Sequence, residues 1–251
     1  MSQRLDVQRV LIIGATSAIA AEAAKLFAEH GARLFVTGRD RAKLSAVCDD
    51  LRVRGAAQVE SAELDVTQLS AHSDVIESAV RRLGGLDVAL IAHGTLPDQT
   101  LCETQVSHAV AALEVNFTAT VALLTPLANY FEAQRHGCIA VIGSVAGDRG
   151  RQSNYVYGAA KGGVDRFLQG LRNRLFRSGV AVVTLKPGFV DTPMTSAVRK
   201  NPLFSSARRA GHGVYRAIQR RRNVVYIPWF WSPIMALVRL LPESIFKRLH
   251  L

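Results

Sequence analysis

Seven short apolar runs recur along the chain: "RVLIIGA" (9–15), "ARLFVTG" (32–38), "AQVESAELD" (57–65), "DVALIAHG" (87–94), "CIAVIGS" (138–144), "VAVVTLKPG" (180–188) and "VVYIP" (224–228). Most are continuous in Val, Ile, Leu and Ala rather than alternating, as strands covered on both faces should be. Between them lie segments of helix length and composition, such as "IAAEAAKLFAEHG" and "VDRFLQGLRNRLFRSG". Strands alternating with helices predict right-handed crossovers, hence an α/β fold with a doubly wound parallel sheet and helices on both faces. No linker, repeat or low-complexity tract breaks the pattern. Residues 1–251 therefore read as a single domain, with 199–251 as its C-terminal extension. Ligands of such sheets bind beyond the carboxyl ends of the strands.

Composition changes this picture little. Hydrophobic residues make up 49% of the 251 positions, which suits a buried sheet. Cys48, Cys102 and Cys138 lie far apart with no C-x-x-C, so neither a metal site nor a disulfide framework is expected, and a reducing, cytoplasmic setting fits. "VLIIGATSAIA" has the apolar look of a signal peptide, but Glu22 and Lys25 follow at once, so it reads as strand, turn and helix. Charge changes the picture more. Residues 1–198 carry a net +1, whereas 199–251 carry a net +10, with Glu243 as their only acid. Such asymmetry points to a polyanionic partner at one end of the molecule.

The stretch "IIGATSAIA" (12–20) stands where a strand gives way to a helix. Gly14 suits a tight turn. Thr16 and Ser17 are good N-cap types, and the amides of Ala18 and Ile19 fall where a helix N-terminus receives a phosphate. Glycine-rich phosphate loops carry two further glycines; here those places hold Ala18 and Ala20. By itself the stretch fits an ordinary strand-to-helix turn as well as a nucleotide loop.

A second stretch decides between them: "IGSVAGDRGRQSNYVYGAAKGG" (142–163). Ser144 ends a strand, Tyr157 follows thirteen residues later, and Lys161 four after that. Residues i and i+4 share a helix face, so the Tyr157 phenol and the Lys161 ammonium are expected to be neighbours. A free tyrosine titrates near pH ~10; a nearby cation favours phenolate and lowers that value. Tyr157 is then a general acid toward a carbonyl oxygen that receives hydride, with Ser144 bonded to the same oxygen. Tyr155 has Ala159 four residues on and does not fit.

With these motifs the chain resembles the short-chain dehydrogenase/reductase family over nearly its whole length. The resemblance implies a Rossmann-type fold, a homo-oligomer and an NAD(P) cofactor. It matches residues 14–20 to the cofactor loop, and Asp65 with Val66 in "LDVT" to the place that holds the adenine. Ala92 and Gly94 in "IAHG" stand where the family usually has N-N-A-G, and His93 is the unusual member. Asn116 in "LEVNFTA" matches the catalytic asparagine that supports the lysine through a water. Pro187, Gly188, Val190 and Thr192 in "KPGFVDTPM" match the loop that reaches the nicotinamide amide. Each has a plain alternative: Asp65 as a helix cap, Asn116 as a satisfied helix residue, Pro187-Gly188 as a turn. In "VTGRDRAKL" the place of the acid that binds a ribose hydroxyl in NAD-preferring proteins is taken by Gly38 and Arg39. A guanidinium suits a 2′-phosphate, so NADP is expected, with NAD as the alternative.

The C-terminal fifth bears on the substrate. Between Trp229 and Leu241 the only charged residue is Arg239, and a helix that apolar must be buried, paired or in lipid. Pro233 and its shortness argue against a membrane span. Arg208, Arg209, Arg216, Arg220, Arg221 and Arg222 lie just upstream. Trp229, Phe230 and Trp231 suit the headgroup level of a bilayer. Ile234, Leu237, Val238 and Leu241 share the spacing of one helix face. The combination predicts peripheral contact with an anionic membrane surface; the alternative is a subunit-contact helix beside a solvated basic face. Nucleic acid is a poorer candidate, because no recognition motif accompanies the charge. "SVAGDRGRQSNYVYGAAKGGVD" and "PESIFKRL" also resemble the decaprenylphosphoryl-2-keto-ribose reductases. That implies reduction of a keto-sugar on a polyprenyl phosphate, downstream of a partner flavin oxidase. A reductase of 3-oxoacyl thioesters or small ketones, and a non-catalytic nucleotide sensor, are the competing readings.

Overall fold

The apolar runs all become strands of one sheet. The computed structural model describes residues 7–249. β1 (Arg9–Ile13), β2 (Arg33–Gly38), β3 (Gln58–Glu63), β4 (Val88–Ile91), β5 (Gly137–Ile142), β6 (Val180–Pro187) and β9 (Val224–Ile227) lie in the order β3-β2-β1-β4-β5-β6-β9, every pair parallel. A further pair of two-residue strands, β7 (Val190–Asp191) and β8 (Ser205–Ser206), ties off the loop after β6. The order reverses between β1 and β4, so a crevice opens above their carboxyl ends, where α/β sheets bind ligands.

Burial follows strand position. All residues of β4 and β5 are buried, whereas the edge strand β3 alternates. One sheet face packs on α1 (Ala18–Glu29), α2 (Arg41–Val53) and α8 (Ala207–Gln219) through Val10, Ile12, Phe27, Leu34 and Val214. The other packs on α3 (Ala71–Leu83), α6 (Ala119–Gln134) and α7 (Tyr155–Leu175) through Leu11, Ile13, Leu123, Phe131 and Leu168. Such large side chains contribute roughly 1.5–3 kcal/mol each when fully buried. Between β4 and α6 run α4 (Gln99–Thr104), α5 (Val106–Leu113) and a π-turn, Glu114–Thr118. From Val106 to Gln134 the helical run is long and apolar enough to cross a membrane, with a hydropathy of 1.5. Its Leu123, Leu124, Leu127 and Phe131 are fully buried against the sheet, which accounts for that character.

The C-terminal segment departs from expectation. α9 (Trp231–Leu240) and α10 (Glu243–Phe246) fold back onto the loop after β5. Trp231 and Met235 pack with Val145, while Phe230, Ile234 and Val238 close the same cluster. Trp231 is therefore a core residue, 3% exposed, not a headgroup-level aromatic. The predicted stripe also splits: Ile234 and Val238 face inward while Leu237 is 65% exposed. An apolar docking surface at the end of the sheet captures one side of the helix, and helical periodicity alone does not reveal which.

Candidate active site

β1 ends in the turn at Gly14, whose φ of +82° lies in the left-handed region that favours glycine. A Cβ there would also stand 2.8 Å from the backbone nitrogen of His93. Two constraints converge on this one glycine. Ala18 and Ala20 lie within α1, where alanine is the best helix former, and Ala20 is fully buried. Ser17 takes the N-cap backbone position, yet makes no side-chain cap bond. The expected hydroxyl cap is not formed; the Ser17 amide donates to the Gly14 carbonyl at 3.0 Å. Thr16 instead packs against Gly38, where a Cβ would come within 3.0 Å of its methyl. The first-turn amides of Ala18, Ile19 and Ala20 lack intrahelical acceptors, and with the helix dipole they suit a pyrophosphate.

Arg39 is exposed at the end of β2. Asp40 is turned to its own helix: it accepts from the Lys43 amide at 3.0 Å, which holds its carboxyl below the usual range. The Asp65 carboxylate accepts from the Thr67 amide and hydroxyl at 3.0 and 2.8 Å, which lowers its pKa, and Arg39 adds to the effect. Val66 and Ala92 are buried beside it and at the end of β4, respectively. Gly94 has a φ of +158°, and a Cβ there would lie 2.9 Å from Asn116 Oδ1 and 3.4 Å from Lys161 Nζ. This glycine lets both side chains reach the crevice. His93, between them, is held neutral: burial, then the Lys161 charge, lowers its pKa to about 3.

Asn116 is fully buried at the π-turn, a local irregularity that often marks functional sites. Its Oδ1 accepts from the Thr95 amide at 3.1 Å, and its Nδ2 donates to the carbonyls of Thr95 and Ala112 at 3.0 and 2.9 Å. Ser144 lies two residues beyond β5, with its Oγ accepting from the Ala146 amide at 3.1 Å and near enough to the Tyr157 hydroxyl to counter its shift. Tyr157 and Lys161 share the predicted face of α7, but not in the expected way. The ammonium stands 5.7 Å from the centre of the phenol ring and donates to the Ile142 carbonyl at 3.1 Å. Burial therefore dominates, and it pushes Tyr157 up to about 12 against the opposing Ser144 hydrogen bond. The expected lowering does not occur; the phenol is held protonated. Burial also lowers Lys161 to about 8, with Asp165 opposing the shift.

Beneath Lys161 lies a charge network that the Ser144, Tyr157 and Lys161 spacing does not announce. Lys186, the last residue before Pro187-Gly188, bridges Asp148 and Asp165, all three side chains at most 8% exposed. Tyr226 donates to the other oxygen of Asp148 at 2.7 Å. Asp165 sits one turn beyond Lys161, as Lys161 does beyond Tyr157, so its signal was present in the i+8 position of the same stripe. The network joins α7, the loop after β5 and the end of β6.

The loop after β6 is stiffened in turn. Val190 is buried and accepts from the Thr195 hydroxyl at 2.6 Å, and the Thr192 amide donates to the same hydroxyl at 3.2 Å. Gly188 is overlain by the Trp231 indole. Arg149, after β5, donates to the carbonyls of Val238 and Leu241 at 2.7 and 2.5 Å, pairs with Glu243, and lies 3.9 Å over the Phe246 ring. Arg149 and Trp231 thus fasten the C-terminal segment to both loops of the site, a role that long-range contact alone assigns.

Comparison with known proteins agrees with this geometry. The short chain dehydrogenase family profile matches residues 8–203. The chain is 37% identical over 240 residues to an uncharacterised oxidoreductase of Mycobacterium tuberculosis, covering 96% of each chain. It is 30% identical over 241 residues to an uncharacterised oxidoreductase of Streptomyces coelicolor, covering 96% of this chain and 95% of that one. The crystal structure of levodione reductase superposes with a TM-score of 0.82 at 20% identity, over 90% of this chain and 98% of that one.

Proposed function

This chain belongs to the short-chain dehydrogenase family and is an NAD(P)-dependent oxidoreductase; from that premise we propose that it reduces a carbonyl group, with Tyr157 as general acid. The observation that carries this reading is the convergence of Ser144, the buried protonated Tyr157 and Lys161 at the carboxyl end of the sheet. In this reading the amides of α1, the Asp65 region and the Gly188–Thr192 loop would hold a dinucleotide across the crevice. When bound, the reduced nicotinamide supplies the hydride. Ser144 orients the carbonyl oxygen, and the protonated Tyr157 hydroxyl donates its proton to that oxygen as negative charge develops on it. The Lys161 ammonium then faces the new phenolate and stabilises it. Asn116 holds the backbone around Thr95 and keeps the floor of the site in place.

For the cofactor we favour NADP. Arg39 is exposed at the end of β2 and makes no ion pair among the described residues, and the adjacent Asp40 is committed to capping α2.

For the substrate we favour a keto-sugar carried on a polyprenyl phosphate, produced by a flavin oxidase partner. The motif resemblance supports it, as do Met194 and Leu203, which are 45% and 37% exposed on the loop beside the site. That substrate places the protein at the inner face of a membrane. A small soluble ketone is the second reading, favoured by the packing of Trp231 into the core. NADPH consumption with a flavin-oxidised polyprenyl-phosphoryl pentose, compared with small ketones and with Tyr157→Phe as control, separates the two. Consumption on neither, in a protein that binds NADPH, removes the reductase reading.

A further inference from the structure

Away from the crevice, α8 is pressed close to its neighbours by two glycines. A Cβ on Gly211 would lie 2.9 Å from the Ala23 amide of α1, and one on Gly213 would lie 2.9 Å from Ile227 of β9. Seated so, the helix turns a row of Arg208, His212, Arg216 and Arg220 outward at i, i+4 spacing, about 6 Å per step. Beside this row β9 pairs, among the described residues, only with β6 and leaves its other edge open, with Val224 44% exposed. Helix and edge strand enclose an open cleft of about 770 Å³, floored by apolar residues and flanked by Trp229, itself 73% exposed. Arg209 and Arg222 complete its basic wall.

None of these five arginines makes an ion pair among the described residues, and no acid lines the cleft. Elsewhere Arg9, Arg52, Arg54, Arg82, Arg149 and Arg174 all have carboxylate partners. Glu243, the only acid after residue 198, is taken by Arg149. A row of like charges held along one helix face is destabilising by itself. It also opposes a symmetric contact with a second copy. Planar guanidinium groups with several donors match phosphate oxygens bidentately.

We propose that this cleft between α8 and β9 is a second ligand site, which binds a molecule bearing two or more phosphate groups, as a soluble polyphosphate or as phospholipid headgroups. The site contains no residue of the crevice, so it stands whether or not the reductase reading holds. Trp229 reports occupancy, because the only other tryptophan, Trp231, is buried.

The test has two arms: inorganic tripolyphosphate followed by tryptophan fluorescence, and co-sedimentation with phosphatidylcholine vesicles with or without phosphatidylglycerol. Binding in either arm, weakened about tenfold or more by R208E/R216E, is the expected result. The double variant R33E/R177E makes the same charge change at exposed sites elsewhere and is expected to leave binding nearly unchanged. Both doubles alter only exposed side chains, and far-ultraviolet circular dichroism with thermal unfolding checks that each is folded. Trp229→Phe should abolish the fluorescence response while vesicle binding persists. The proposal is overturned if neither arm binds, or if the two doubles weaken binding equally. It is also overturned if the cleft retains only duplex DNA, or if R208E/R216E merely dissociates a dimer that binds no phosphate.

Discussion

The Trp231 indole fills the volume that any side chain at Gly188 would need. A residue of the C-terminal segment thereby sets the position of the loop expected to meet the nicotinamide. Gly188→Ala should push the ring out of its cluster, at a cost of roughly 1–3 kcal/mol as in other overpacked cores, and raise the KM for the cofactor. Trp231→Ala should cost roughly 3–5 kcal/mol by leaving a cavity. Thermal unfolding of both variants, with cofactor titration of the first, checks this. Unchanged cofactor affinity in Gly188→Ala would detach the tail from the site.

Tyr157→Phe keeps the ring and its packing but removes the acidic proton. Turnover should fall by about 10² to 10⁴ while NADPH still binds. Ser144→Ala removes the hydrogen bond that opposes burial at Tyr157 and should also lower kcat. Near-normal steady-state rates in Tyr157→Phe would refute the assignment.

Lys161 has its pKa lowered by burial to about 8, and Asp165 acts against that shift. The ammonium form exists below this value, so activity should be full at lower pH and fall as pH rises through about 8. Asp165→Asn removes the opposing charge, so the alkaline fall should move to lower pH. The kcat profile measures this; a displacement to higher pH, or none, would contradict it. Lys186→Met leaves Asp148 and Asp165 buried without their cation and should destabilise the fold by about 3–5 kcal/mol.

Arg39→Ala should weaken NADPH more than NADH, because only the former loses a charge-assisted phosphate contact of about 1.5–3 kcal/mol. Parallel titrations of the two cofactors decide it. Equal losses would make Arg39 a surface charge and leave the preference to other residues.

The strands, their parallel sense and the spacing of Ser144, Tyr157 and Lys161 were legible in the sequence because they depend on local regularities. Buried strands show as continuous apolar runs, and a shared helix face shows as i, i+4 spacing. Gly14 was legible for the same reason, since a strand-to-helix turn requires one left-handed residue. The two alanines of the same loop stand inside α1, where no glycine is required. Tertiary structure decided the rest. Whether Lys161 meets the phenol oxygen or a backbone carbonyl depends on where β5 ends against α7. Whether Tyr157 is raised or lowered depends on burial, which no spacing records. Lys186 and Asp165 are 21 residues apart in sequence and become an ion pair only because β6 and α7 pack on the same sheet. Trp231 looked like an interfacial aromatic because apolar character is the same for a lipid face and a core face. Its place was fixed by the gap above Gly188, which exists only when the sheet, the loops and the C-terminal segment are folded together.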